Sequence, residues 1–387
     1  MNILFLSTDN VNDCINNLIK SYIKIQNTDR IYNYRLYYDL VFKDLNFDDL
    51  LNFIIRNNID YIIIQLLCKE SIQLINIIQD KFKDIKIITG GFLTSYMKDY
   101  IIQLIKPNKN LKLWIGPLNN NYSEFFHNDK IIYTSNKFEF NKPFQYPIIP
   151  EQASIFVSEG CYNNCTFCAH IKYFPYDFEY IKNQIEEYRK YGITNFQVIS
   201  ENSNYNVYKD IYNLFKKEEH KYFWVSFNTL KLVYRDHLYD ENTEFCSNIE
   251  NVNKDTQKII NKFYDKYEYY DICKKLNIES DFIIGFPGET IESINENLDY
   301  LYSIKDLKFT LNLYYNLYGT ELSKKYNVFK KPSFDRIYTN TVGEKYNYLK
   351  EIVFNFHTIV GKMRTLKYII QDDFIYFNDN TSYRIYL

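Results

Sequence analysis

The stretch SIFVSEGCYNNCTFCAH, residues 154–170, places Cys161, Cys165 and Cys168 directly after an apolar run, with three residues between the first pair and two between the second. A short apolar run closed by glycine reads as a buried strand feeding a loop, so position and spacing have to be explained together. Three thiolates hold three irons of a [4Fe-4S] cube and leave the fourth iron open to a cofactor or substrate. The plainer alternative is a structural zinc site with His170 as fourth ligand. Such sites usually draw ligand pairs from separate segments, whereas these four residues share one short loop. An electron-transfer ferredoxin site would normally add a fourth cysteine, and the next in the chain, Cys246, belongs to a remote segment. Phe167, just ahead of the last cysteine, reads either as core packing or as a neighbour of the bound cofactor.

Downstream of this loop the pattern continues as apolar runs separated by helix-like segments: NFQVIS, YFWVSFN, FCSNIE, SDFIIGFPG and KFTLNLYY. With SIFVSEG these make six strands in βα order, which predicts a partial (β/α)6 barrel over 153–326 rather than a closed eight-stranded one. A C-terminal α+β extension over 327–387 follows, with a helix expected at 343–360 and short strands around an Asn/Asp turn in KYIIQDDFIYFNDNTSYRIYL. Upstream, residues 1–118 alternate in the same way, with NILFLS, YRLYYDLVF, YIIIQLL, KIITGG and LKLWIG as strands between crossover-length helices. That predicts an N-terminal α/β domain, doubly wound and Rossmann-like. The stretch 119–152, with three prolines and scattered aromatics, reads as a connector.

Composition bounds the function. The chain has 387 residues, 46 basic and 48 acidic, for a formal charge of -2. No global field draws it to a nucleic-acid backbone or an anionic membrane. Its seven cysteines are odd in number and irregularly placed, and no stretch approaches the length of a membrane span, which predicts a reduced, cytoplasmic protein without a membrane span.

These motifs together resemble the radical SAM superfamily, whose cluster loop is CxxxCxxC with an aromatic residue before the last cysteine. FCSNIENVNKDTQKIINKF is similar to its fourth-strand segment ending in glutamate, SDFIIGFPGET to its fifth-strand motif, and NLYYNLYGTELSKKY to its sixth strand. The resemblance covers 154 to about 326 in order. It implies one [4Fe-4S] cluster on Cys161, Cys165 and Cys168 and S-adenosylmethionine (SAM) at the open iron. It further implies that backbone near Ile284 meets the adenine and that Glu250 bonds the ribose or amino group. Glu201 and Asn228 follow two further strands and take the places of weaker cofactor contacts. Glu289 and Thr290 read as an ordinary strand-to-helix turn.

The N-terminal domain resembles the cobalamin-binding class of the superfamily through ITGGFLTSY, where Gly90 and Gly91 would admit a corrin. Yet the first 126 residues contain no histidine to ligate cobalt. Methylthiotransferases resemble the architecture too but carry a second cluster on three N-terminal cysteines, where this chain has only Cys14 and Cys68. The expected activity is therefore single-cluster radical chemistry on the carbon of a peptide or small metabolite, with flavodoxin or ferredoxin as reductant and no nucleic-acid partner. Cobalamin-dependent C-methylation and a non-catalytic Fe-S or zinc sensor are the alternatives. The catalytic acid, base or hydrogen donor has no signature in the sequence.

Overall fold

The computed structural model describes residues 1–7, 29–35, 47–66, 69–91, 94, 97–116, 118–119, 121–135, 153–161, 163–169, 173–175, 177–215, 220–276, 278–330 and 346–387. They form two compact units, one of residues 1–161 with 171–200 and one of residues 162–170 with 201–387. Cys14, Cys68, His170 and most of YRLYYDLVF lie outside the described residues.

The first unit contains a six-stranded sheet of β1 (Asn2–Ser7), β2 (Arg30–Arg35), β3 (Tyr61–Gln65), β4 (Lys86–Gly90), β5 (Leu111–Ile115) and β6 (Ile132–Thr134), in the order β2-β1-β3-β4-β5-β6. Every pair is parallel. Parallel strands covered on both faces need near-continuous apolar runs, and YIIIQ and LKLWI supply them, with all of Leu111–Ile115 buried. The order reverses between β1 and β3, the topological switch of doubly wound sheets. β6 falls within the segment expected to be a connector. Its short run IYT is enough to pair with Leu113–Ile115.

One lysine interrupts the apolar run of β5. The buried Lys112 directs its ammonium to the carbonyls of Phe125 (2.9 Å), Phe126 (3.3 Å) and Asn128, at the end of α4 (Asn121–His127). A cation at a helix C-terminus satisfies orphan carbonyls and the helix dipole together. The Gly-Gly element has a packing explanation in this sheet. A Cβ on Gly90 would stand 2.8 Å from the Trp114 carbonyl oxygen, so the missing side chain lets the adjacent strand approach.

The second parallel sheet comprises β7 (Ala153–Phe156), β10 (Asn195–Ser203), β11 (His220–Val225), β12 (Thr243–Cys246), β13 (Glu279–Ile284) and β14 (Lys308–Leu313), in the order β14-β13-β12-β11-β10-β7. All six expected strands are present, and their spatial order is their chain order. A sheet without a switch point, joined by crossovers of one hand, carries its helices on one face. Aromatic packing marks that face. Phe223 and Phe245 meet Tyr208 of α6 (Tyr205–Leu214), and Phe282 meets Tyr269 of α9 (Lys266–Leu276) and Tyr300 of α10 (Ile291–Ser303). By strand alternation Tyr222, Trp224, Cys246, Asp281 and Thr310 point to the opposite face, where Trp224 is 45% exposed.

The C-terminal extension is a helix, α12 (Tyr346–Thr365), followed by an antiparallel sheet of β15 (Tyr368–Gln371), β16 (Phe374–Phe377) and β17 (Ser382–Arg384), as its sequence predicts. Asp372 and Asn380 take the left-handed conformations that the two turns require. Among the described residues no helix is long and apolar enough to cross a membrane.

Gly116 stands closest to neighbouring backbone among the described glycines. It has φ +88°, and a Cβ there would lie 2.1 Å from the Ser135 carbonyl oxygen where β5 meets β6. Gly116→Ala should destabilise the chain by about 2–4 kcal/mol through steric and left-handed strain. Urea unfolding checks this, and a change under about 0.5 kcal/mol would contradict it.

Candidate functional site

The cysteine loop emerges from a short clasp. β8 (Ser158–Glu159) pairs antiparallel with β9 (Phe174–Pro175), and Gly160 at φ 71° turns the chain into Cys161. Further along, Thr166 anchors the loop to two other segments. Its N–H donates to the Ile260 carbonyl (3.1 Å), its hydroxyl to the Ile259 carbonyl (2.7 Å), and its own carbonyl accepts from Leu322 N–H (2.8 Å). Asn261 adds a bond from its amide to the Asn164 carbonyl (2.8 Å), and Cys168 N–H closes a turn onto the Cys165 carbonyl (3.1 Å). Phe167 packs edge-on against Phe286 (5.5 Å) and Tyr314 (6.5 Å), beside Ile260 and Leu322. The ring therefore has a packing role and reaches the carboxyl ends of β13 and β14.

None of the three loop cysteines forms a disulfide among the described residues, with Cys161 half-buried, Cys165 buried and Cys168 exposed. Among the described residues no three His, Cys, Asp or Glu side chains converge as a preformed metal site. The donor set itself, three thiols on one loop, suits a cluster with one open iron. Cys246 and Cys273 are buried, and burial pushes their thiols up to about 11 and about 12. Thiols held protonated in this way behave as small core residues.

Glu250 sits just past β12 in a left-handed conformation, φ 66°. Its backbone bridges to β13, accepting from Ile283 N–H (2.7 Å), and its buried carboxylate accepts from the Lys262 ammonium (2.9 Å). Tyr264, fully buried, has its phenol pushed well above the ordinary range, first by burial and then by the Glu250 charge, with Cys165 contributing. Glu250 and Cys165 thus share one neighbourhood around this ring. Ile284 is the last residue of β13, and its carbonyl accepts from Tyr314 N–H (2.8 Å). Asn228 is exposed in the first turn of α7 (Phe227–Arg235). β10 runs three residues beyond NFQVIS, so Glu201 lies within the strand rather than after it.

Sequence reasoning passed over Glu289. Its carboxylate is only 4% exposed and accepts four hydrogen bonds. Gly285 N–H and Phe286 N–H reach Oε2 at 2.6 and 2.9 Å, while the Asn251 amide and the Thr256 hydroxyl reach Oε1 at 2.7 and 3.3 Å. An acidic residue five positions after a strand, following an otherwise apolar Gly-Phe-Pro-Gly turn, was the available signal. A buried carboxylate needs several donors.

Residues 155–301 match the model of the radical SAM superfamily, so the chain carries a radical SAM domain. Across a longer stretch it is similar to two curated proteins. Over 202 residues it is 26% identical to a tRNA-2-methylthio-N(6)-dimethylallyladenosine synthase of Buchnera aphidicola subsp. Cinara cedri, covering 42% of this chain and 46% of that protein. Over 207 residues it is 26% identical to the ribosomal protein uS12 methylthiotransferase RimO of Carboxydothermus hydrogenoformans, covering 43% and 44%. The match thus spans less than half the length of each relative. Two solved structures are similar to the chain. Coproporphyrinogen III oxidase (HemN) from Escherichia coli has a TM-score of 0.39 and 16% identity, covering 56% of this chain and 54% of its own. A queuine lyase from Clostridium spiroforme bound to SAM and queuine has a TM-score of 0.32 and 19% identity, covering 51% and 92%.

Burial pushes the Glu289 carboxyl up to about 7 from 4.5, against its four donors, which favour the charged form. A folded-state value above the unfolded one means that the group's contribution to stability is complete below pH 4.5 and is lost as pH rises through about 7. Within that window the chain should lose about 1 kcal/mol of stability per pH unit from this residue. Unfolding curves of the wild type and Glu289→Gln across the window check this, since the variant should lack that part of the slope.

Proposed function

We propose that this chain is a radical SAM enzyme that uses a single cluster, held by Cys161, Cys165 and Cys168, to modify a peptide or small metabolite at carbon. The observation that carries this reading is the ordered set of motifs on one parallel sheet: the CxxxCxxC loop after its first strand, Glu250 after β12, and the Gly-Phe-Pro-Gly turn after β13. Sites in βα folds form at the carboxyl ends of strands, where these residues lie. We read the open six-stranded sheet as the partial (β/α)6 barrel of the family, 153–326. In the same reading 1–118 is a Rossmann-like module, 119–152 a connector and 327–387 an extension.

When bound, the reduced cluster and S-adenosylmethionine supply one electron and a 5'-deoxyadenosyl radical, with methionine released. The chain's own residues hold and shield that chemistry. Cys161, Cys165 and Cys168 would hold three irons of the cluster as thiolates, and their loop would order on binding it, since ligand binding and local ordering are coupled. Phe167, Phe286 and Tyr314 give the cofactor an apolar wall. Backbone at Ile284 would meet the adenine. Glu250, neutralised by Lys262, offers its second oxygen to the ribose or amino group. Glu201 and Asn228 are outlying polar contacts. The substrate lies over the sheet face that carries Trp224 and Asp281, and the electron comes from a flavodoxin- or ferredoxin-like carrier.

The names of the curated relatives point to tRNA and a ribosomal protein as their substrates. Transfer of a methylthio group by the family's route needs three further cysteines in the N-terminal domain, and residues 1–118 hold Cys14 and Cys68. Carbon modification without sulfur insertion is therefore the better reading. The cobalamin-dependent alternative leaned on the Gly-Gly element, and the close approach of Trp114 accounts for Gly90 without a ligand.

Anaerobic reconstitution should yield about four irons per chain and, with dithionite and S-adenosylmethionine, 5'-deoxyadenosine. Alanine at Cys161, Cys165 or Cys168 should abolish the product, whereas Cys246→Ala and Cys273→Ala should retain the cluster. Absence of 5'-deoxyadenosine from fully loaded wild-type protein would overturn the reading.

A further inference from the structure

We infer that the exposed side chains of α8 (Lys254–Ile260), of the chain just after it and of α11 (Glu321–Lys325) with its following turn form a docking surface for an acidic flavodoxin, set against the cysteine loop. The inference rests on the reading above, in which Cys161, Cys165 and Cys168 hold the cluster and a small electron carrier reduces it.

Both segments are tied to the loop through one residue. Thr166 bonds Ile259 and Ile260 at the end of α8 and Leu322 at the start of α11. Ile259, Ile260 and Leu322 also pack in one apolar cluster with Phe167. Tyr326, just past α11, reaches back toward α8, since a Cβ on Gly288 would meet both its hydroxyl and the Ile259 side chain. Phe263 stands two residues beyond Asn261, whose amide holds the Asn164 carbonyl next to Cys165. Asn164 and Cys168 are themselves exposed, so the loop meets solvent where these segments hold it.

What the two segments expose is basic and aromatic. Residues 254–263 and 320–330 hold six lysines and two carboxylates, in a chain whose formal charge is -2. Half of those lysines are engaged: Lys254 on the Tyr264 carbonyl (2.6 Å), Lys258 on Asp255 (2.7 Å) and Lys262 on Glu250. Lys324, Lys325 and Lys330 are exposed and have no ion pair among the described residues. Between the segments' charges lie two exposed rings, Phe263 at 59% and Tyr326 at 39%. Aromatic residues inside a charged rim are the composition of a protein interface, and the lysines steer an acidic partner to it. Three free lysines are few for a nucleic-acid backbone, which draws its affinity from many phosphate contacts. The rings suit the planar, apolar edge of a flavin, which a ferredoxin, with its cluster under a backbone loop, does not offer. In the exchange so served, one flavin hydroquinone loses one electron and one oxidised cluster gains it, with no atom transferred.

The test uses reconstituted holoprotein and flavodoxin. Dissociation constants are measured with oxidised flavodoxin at low and high salt, and 5'-deoxyadenosine formation is followed with either flavodoxin hydroquinone or dithionite as reductant. We expect the double variant Lys324→Glu/Lys325→Glu to bind flavodoxin about tenfold or more weakly at low salt, with the difference shrinking as salt rises. Phe263→Ala should bind about fivefold more weakly. Both should slow the flavodoxin-driven reaction in proportion, while iron content and the dithionite-driven rate stay as in the wild type. The same charge change at Lys274→Glu/Lys275→Glu, where α9 runs into the far end of β13, should alter either readout by less than about twofold. Should the double variant not fold, Phe263→Ala decides. Wild type that binds no flavodoxin, reduction by a ferredoxin alone, or variants that bind flavodoxin as the wild type does overturn this inference alone. So does binding of transfer RNA, in place of flavodoxin, that the same variants weaken. Absence of 5'-deoxyadenosine from the loaded wild type with dithionite overturns it together with the functional reading.

Discussion

A carboxylate removed from water has to find donors where it lies, and at Glu289 they come from three segments: the end of β13, the residue after Glu250 and the first turn of α8 (Lys254–Ile260). Those segments bear the rest of the candidate site. α8 ends in the carbonyls of Ile259 and Ile260, which receive Thr166 of the cysteine loop. One buried carboxyl group is in this way connected, bond by bond, to the Glu250 turn, the Gly-Phe-Pro-Gly turn and the loop that bears Cys165 and Cys168. Severing a single partner leaves the others buried and unsatisfied, which is why such networks respond as units.

The cysteine loop depends on different physics on its two sides. Thr166 commits the backbone through three hydrogen bonds, and Phe167 commits a ring to an aromatic cluster, leaving the adjacent cysteines on a short turn between fixed points. Phe167 is therefore structural first. Its place beside Phe286 and Tyr314 also means that any planar ligand at the end of β13 meets an apolar surface built from two strands and the loop.

Much of this was legible in the sequence, for identifiable reasons. Parallel strands covered by helices must be apolar nearly throughout, so NILFLS, YIIIQ, LKLWI and SDFII announced themselves, and the spacing of the three cysteines carried the chemistry with it. What stayed hidden depends on partners distant in sequence. Lys221 opens a strand fully buried because Asp240 meets its ammonium at 2.5 Å, and Lys112 is buried because a helix ends over it. Glu289 finds Asn251 and Thr256 more than thirty residues away. Strand limits blurred where polar residues continue a ladder, as at Glu201. Edge pairing was missed where a run is only three residues long, as in Ile132–Thr134.

The two-residue clasp of β8 and β9 has a bearing on how the cluster loop forms and fails. By pinning residues 158–159 to 174–175 it meets the entropy cost of bringing the ends of the cysteine segment together. Whatever the cysteine segment holds, the pairing of its two flanks is made by Ser158–Glu159 and Phe174–Pro175 alone and does not draw on it.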